Sequence, residues 1–152
     1  MGCRTNVRQK PEGQEEYQYA ELMMYLPADW PIQPKVDSPQ LWPWRWLRTM
    51  AHYPHEQNTW LGGPLTTFAN GEPPEPLESG CDFTAFLLAY ELNFPSFESL
   101  DGRLIKIITA MPIYTEELRL AQQEDGFTKL LLRLQEEGIT PTLKPNRPNV
   151  AL

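Results

Sequence analysis

"FTAFLLAYEL", residues 83–92, and "RLIKIITAM", residues 103–111, carry apolar side chains on both of their alternating faces. A strand with one wet face alternates apolar and polar residues. A run that does not alternate therefore reads as a strand covered on both sides, at the middle of a sheet. Between the two runs, "NFPSFESLDG" reads as a loop, with Asp101-Gly102 as its turn signal. The fold class this predicts is α/β (α+β), a mixed β-sheet flanked by helices in a single domain.

Outward from that centre, "YQYAELMMYL" (17–26) places Ala20, Leu22, Met24 and Leu26 on one face and Tyr17, Tyr19, Met23 and Tyr25 on the other. It predicts another strand largely covered on both sides, with Glu21 as a paired carboxylate at a sheet margin. A short strand is expected near Leu65–Phe68, between turns marked by glycines and prolines. Trp46, Leu47, Met50 and Ala51 share one side of a helix predicted to run from Pro43 to Tyr53 and stop before Pro54. Trp42 and Trp44 crowd its start, and packing against the sheet is the commoner use of such large apolar rings than a ligand platform.

After Pro112, Thr115 is expected to cap a helix whose first turn holds Glu116 and Glu117, where the helix dipole favours negative charge. Leu118 and Ala121 continue its apolar stripe until Asp125-Gly126 interrupts. Phe127, Leu130, Leu131 and Leu134 then mark a second amphipathic helix that ends before Gly138. Residues 1–16 read as an irregular polar lead-in, 17–138 as the domain, and 139–152 as an extended, proline-broken tail.

A chain of 152 residues with 41% hydrophobic and 22% charged residues can bury a core, which excludes the disordered class. Thirteen basic against twenty acidic side chains give a net charge of -7. That charge repels a phosphate backbone and, with no basic patch in view, excludes nucleic acid as the expected partner. A basic protein is easier to attract. The longest apolar run, "AFLLAY" (85–90), is far short of a membrane span, and "MGCRTNVRQK" has no signal-peptide core. Cys3 and Cys81 form no disulfide framework, which fits a reducing, cytoplasmic setting.

"AHYPHEQNTWLGGP" (51–64) holds the only two histidines, His52 and His55, beside Glu56. Their H-x-x-H spacing lacks the one-turn separation of a zinc-binding H-E-x-x-H helix, and Pro54 is expected to split them across a helix end. Neither cysteine has a nucleophile context. The reading is structural: His52 and His55 end the helix and fix the turn into Asn58, Thr59 and Trp60, with no catalytic residue, metal or cofactor expected.

Three blocks carry a resemblance: "PEGQEEYQYAELMMYLPADWP" (11–31), "WPWRWLRTMAHYPHEQNTWLGGP" (42–64) and "MPIYTEELRLAQQEDGFTKLLLRL" (111–134). In this order and spacing the chain resembles the Suppressor of fused domain, especially its bacterial members, over residues 11 to about 136. The shared features are the "AEL" strand ending in "YLP", the tryptophan-rich helix leading to "NTW", and "PIYTEEL" opening the late helix, none of them a catalytic signature. They make Trp46, His52, His55, Asn58, Thr59, Trp60, Thr115, Glu116, Glu117 and Leu118 structural residues.

The resemblance implies a non-enzymatic, cytoplasmic protein-binding domain. In animals such a domain belongs to an adaptor that restrains transcription factors and holds an extended peptide as an added strand. Bacterial relatives imply an immunity protein that neutralises a toxin. Family members usually have further strands and a helix upstream of the part matching "PEG", so the chain resembles the later two-thirds of the domain. Missing strands would leave an unpaired sheet edge. Two alternatives stand beside this reading: a small metal-dependent hydrolase using His52, His55 and Glu56, and a structural module of a larger assembly.

Overall fold

In a computed structural model, the described residues are 2–6 (backbone), 19–31, 35–59, 61 and 65–152. Tyr17 and Trp60 lie outside them. The described strands are β1 (Gly2–Asn6), β2 (Tyr19–Met23), β3 (Leu65–Ala69), β4 (Ala85–Tyr90), β5 (Phe97–Glu98) and β6 (Leu104–Ile113), and the α-helices are α1 (Trp42–Glu56), α2 (Thr115–Ala121) and α3 (Gly126–Glu136).

The two runs apolar on both faces are the centre of the sheet, as their pattern requires. Its order is β1-β2-β6-β4-β3, with β5 against the start of β6. β6 is parallel to β2 and antiparallel to β4, so the sheet is mixed. Side chains of the central strands alternate between two cores. Phe86, Leu88, Ile108 and Ala110 join Leu22, Trp42, Leu47 and Met50 on the α1 side. Ala85, Leu87, Met111 and Ile113 join Leu118, Leu130 and Leu134 of α2 and α3 on the other. The result is a single α+β domain with helices on both faces of the sheet. Among the described residues no helix is long and apolar enough to cross a membrane.

Four local expectations are corrected. Residues 2–6, read as lead-in, form β1, antiparallel to β2. β5 lies inside the stretch read wholly as loop. Helix α1 runs through Pro54 to Glu56. Proline there removes the hydrogen bond its own N–H would have donated to the carbonyl of Met50 and crowds that carbonyl with its ring, but burial favours the helical path because Leu47, Met50, Ala51 and Pro54 form one inward stripe. The helix ends where the Gln57 N–H donates to Tyr53 O (2.9 Å) and the Thr59 N–H to Pro54 O (3.0 Å), around Asn58 in the left-handed region at φ 51°.

The fourth correction concerns residues 139–152. They turn back over the domain and bury Leu143, Arg147 and Val150. A bridge pairs Thr142 with Tyr25, and the Leu143 N–H donates to Tyr25 O (2.8 Å).

Candidate functional site

On α1 the histidines are exposed. His52, His55 and Glu56 all face outward, and His52 and Glu56 share a shallow hollow with Arg48 and Thr49. Both histidines sit within the helix, so Pro54 does not divide them across its end. Among the described residues no three or more His, Cys, Asp or Glu side chains are grouped so that they could hold a metal ion. The Trp46 indole N–H donates to Leu77 O (2.8 Å), and its ring packs on Phe68 and Phe86.

At the start of α2 a charged group was legible in sequence but its partner was not. The cap is Tyr114, extended at φ -77° and ψ 162°, one residue before the expected Thr115. The reason is Glu117, which is fully buried and turns its carboxylate back to accept the Tyr114 N–H at 3.1 Å. Arg147 meets that carboxylate with both terminal nitrogens, at 2.7 and 2.6 Å, and the Val150 N–H adds a fourth donor at 3.1 Å. Its guanidinium also donates to Pro112 O and Pro148 O and lies over the rings of Tyr114 (4.9 Å) and Phe83 (5.3 Å). Around this clasp the Thr115 hydroxyl bonds that of Thr84 (2.8 Å), Glu116 accepts from Asn149 (2.8 Å), and Leu118 fills the second core.

Beside the clasp opens a pocket of about 200 Å³. Its walls are Trp30, Trp42, Phe83, Tyr114 and Leu143, brought together from five separate segments. Phe83 and Tyr114 pack with ring centroids 4.6 Å apart, and the Tyr114 hydroxyl donates to Arg147 O (2.6 Å). Glu78, Cys81 and Asp82 stand at the rim. Arg45 pairs with Glu78, whereas no cation among the described residues pairs with Asp82. Burial raises the Cys81 thiol above its ordinary value, and the charges of Asp82 and Glu78 act in the same sense. Burial also raises the Tyr114 phenol, against the opposing pull of Arg147.

At the closed end of the β4–β6 pairing, residues 91–104 expose Leu92, Phe94, Phe97, Leu100 and Leu104. Phe94 is 49% and Phe97 43% exposed although Phe94 stacks on Tyr25. The base of the loop is held by Glu91, whose carboxylate accepts from the Ser96 N–H and from Lys106, both at 3.1 Å. Those bonds, Ser96 first and Lys106 second, hold its carboxyl below the usual carboxylate range. Isolated exposed apolar residues need no explanation; here five of them fall within residues 91–104.

A family model described as Suppressor of fused protein (SUFU) matches residues 1–148, wider than the stretch covered by the three sequence blocks. Among solved structures, one described as "the Sufu-Fu complex crystal structure" is similar with a TM-score of 0.61 at 13% identity, over 95% of this chain. That likeness speaks for the fold. The chain spans 63% of the length of that relative. No curated protein sequence matches it.

Proposed function

From the premise that this chain belongs to the Suppressor of fused family, we propose that it is a non-enzymatic protein-binding domain, and that its partner is a basic bacterial toxin which it neutralises in the cytoplasm as an immunity protein. The observation that carries the binding reading is the exposed apolar loop of residues 91–104, with two phenylalanines and three leucines turned to solvent. The net charge of -7 supports a basic partner, because opposite charge raises the encounter rate. The structural relative was solved in a complex, Sufu-Fu, which favours a protein partner here as well.

Trp46, Thr115, Glu116, Glu117 and Leu118 serve the scaffold in this reading, and His52, His55, Asn58 and Thr59 belong to a solvated helix and its end. The hydrolase alternative is not supported, since His52, His55 and Glu56 lie exposed on α1 and are not among any group of three such side chains placed to hold a metal ion among the described residues.

The test is to assay the product of the adjacent gene for toxicity and to titrate it with the domain. Stoichiometric loss of toxin activity as the domain is added is the expected result. Full toxin activity at saturating domain would overturn the immunity reading.

A further inference from the structure

The pocket beside the Glu117–Arg147 clasp is smaller than the roughly 300–1,000 Å³ of sites for drug-sized ligands. Its volume suits one side chain. The walls are aromatic and the rim is anionic, a pairing that favours a cation with an apolar body.

Charge at the rim is only partly spent. Glu78 is matched by Arg45, which leaves Asp82 as the rim carboxylate without a cationic partner among the described residues. The same aromatic wall already accepts one guanidinium from within the chain, since Arg147 lies against Phe83 and Tyr114.

We propose that this pocket receives an arginine side chain of the basic protein partner, its stem and planar head against Trp30 and Trp42 and its charge met by Asp82. Arginine is the occupant because its guanidinium is weakly hydrated, stacks on rings and meets a carboxylate through two donors. Lysine is a compact, strongly hydrated charge that does not stack. Buried arginines in aromatic pockets are also among the side chains that dominate binding energy at interfaces. The assignment rests on the protein-binding reading above and adds where one contact is made and by what chemistry.

The probe is a capped tripeptide, acetyl-Gly-Arg-Gly-amide, titrated into the full chain while the indole N–H resonances of the tryptophans are followed by NMR. Saturable shifts of the Trp30 and Trp42 signals are expected. Replacing the arginine by citrulline, which keeps the shape and removes the charge, should weaken binding about ten-fold, as should Asp82→Asn in the protein. Asp82 is exposed, so the variant should keep the wild-type unfolding midpoint. Equal binding by the citrulline or lysine peptide, no effect of Asp82→Asn, or shifts confined to other tryptophans would each overturn the assignment. Toxin inhibition that persists while the peptide fails would remove the pocket assignment alone and leave the binding function standing.

Discussion

Glu117 and Arg147 form the costliest charged contact in the described structure, because both side chains are almost completely out of water, at 0% and 3% exposure. A buried pair contributes little net stability compared with an apolar pair, yet removing one partner strands the other. Arg147→Met should therefore lower unfolding free energy by about 3–5 kcal/mol in urea titration. Adding Glu117→Gln should cost less than the sum of the two single changes, since the two residues share one network. The carboxylate was visible in "YTEEL" as a helix-start residue. Its partner was not, because Arg147 lies 30 residues on in a segment with no periodicity to show which side faces inward.

Cys81 and Tyr114 give a pH dependence of known sign. Both hold their protons more tightly when folded than in the open chain, because burial disfavours the thiolate and the phenolate. The unfolded chain therefore releases these protons first as pH rises, and stability falls with pH above the ordinary thiol value of 9.0. Urea unfolding at pH 8 and pH 10 should show that loss, and Cys81→Ser should reduce it. An equal loss in the variant would assign it to other groups.

Among the elements, the central strands and the late helices were legible because burial on two faces, or on one stripe, leaves its period in the sequence. β1 was not, since an edge strand such as "GCRTN" is held by backbone pairing that its polar side chains do not announce. The two-residue β5 is too short to show a period at all. The sequence reading ends α1 before Pro54 because it weighs local propensity alone, and the tertiary stripe outweighs that propensity. Leu47→Ala or Met50→Ala in that stripe should cost about 2–5 kcal/mol, whereas His52→Gln and His55→Gln on the exposed face should stay within about 0.5 kcal/mol.

The link between α2 and α3 makes a sharper test. A Cβ on Gly126 would lie 2.0 Å from the carbonyl oxygen of Leu120 and 2.8 Å from the backbone of Ala121. These are backbone atoms and cannot swing away as a side chain could. Gly126→Ala should destabilise by about 1–3 kcal/mol or more, read as a lowered thermal midpoint. Sequence marked this position as a helix break, and the close approach of two backbones is the physical cause.

Over the whole molecule, a sheet covered on both faces leaves the working surface to loops, to the rim of the pocket and to the ends of the strands. The sequence carried the family through three blocks in order, and it carried the acidic balance. It did not carry the pocket, whose five walls come from separate segments, nor the exposure of Phe94, Phe97 and Leu100, which alternate with polar residues too irregularly to be assigned a face. If charge guides the encounter and the loop supplies apolar contact, raising salt should slow association while a loop variant should speed dissociation.

The most direct measurement is calorimetric titration of the adjacent gene's product with the wild-type domain and with the combined Phe94→Ser, Phe97→Ser, Leu100→Ser variant, each first confirmed to unfold at the same midpoint. The account predicts one-to-one binding by the wild type and an affinity lower by about 100-fold or more in the variant. Unchanged binding by the variant, or no heat of binding from the wild type, would contradict it.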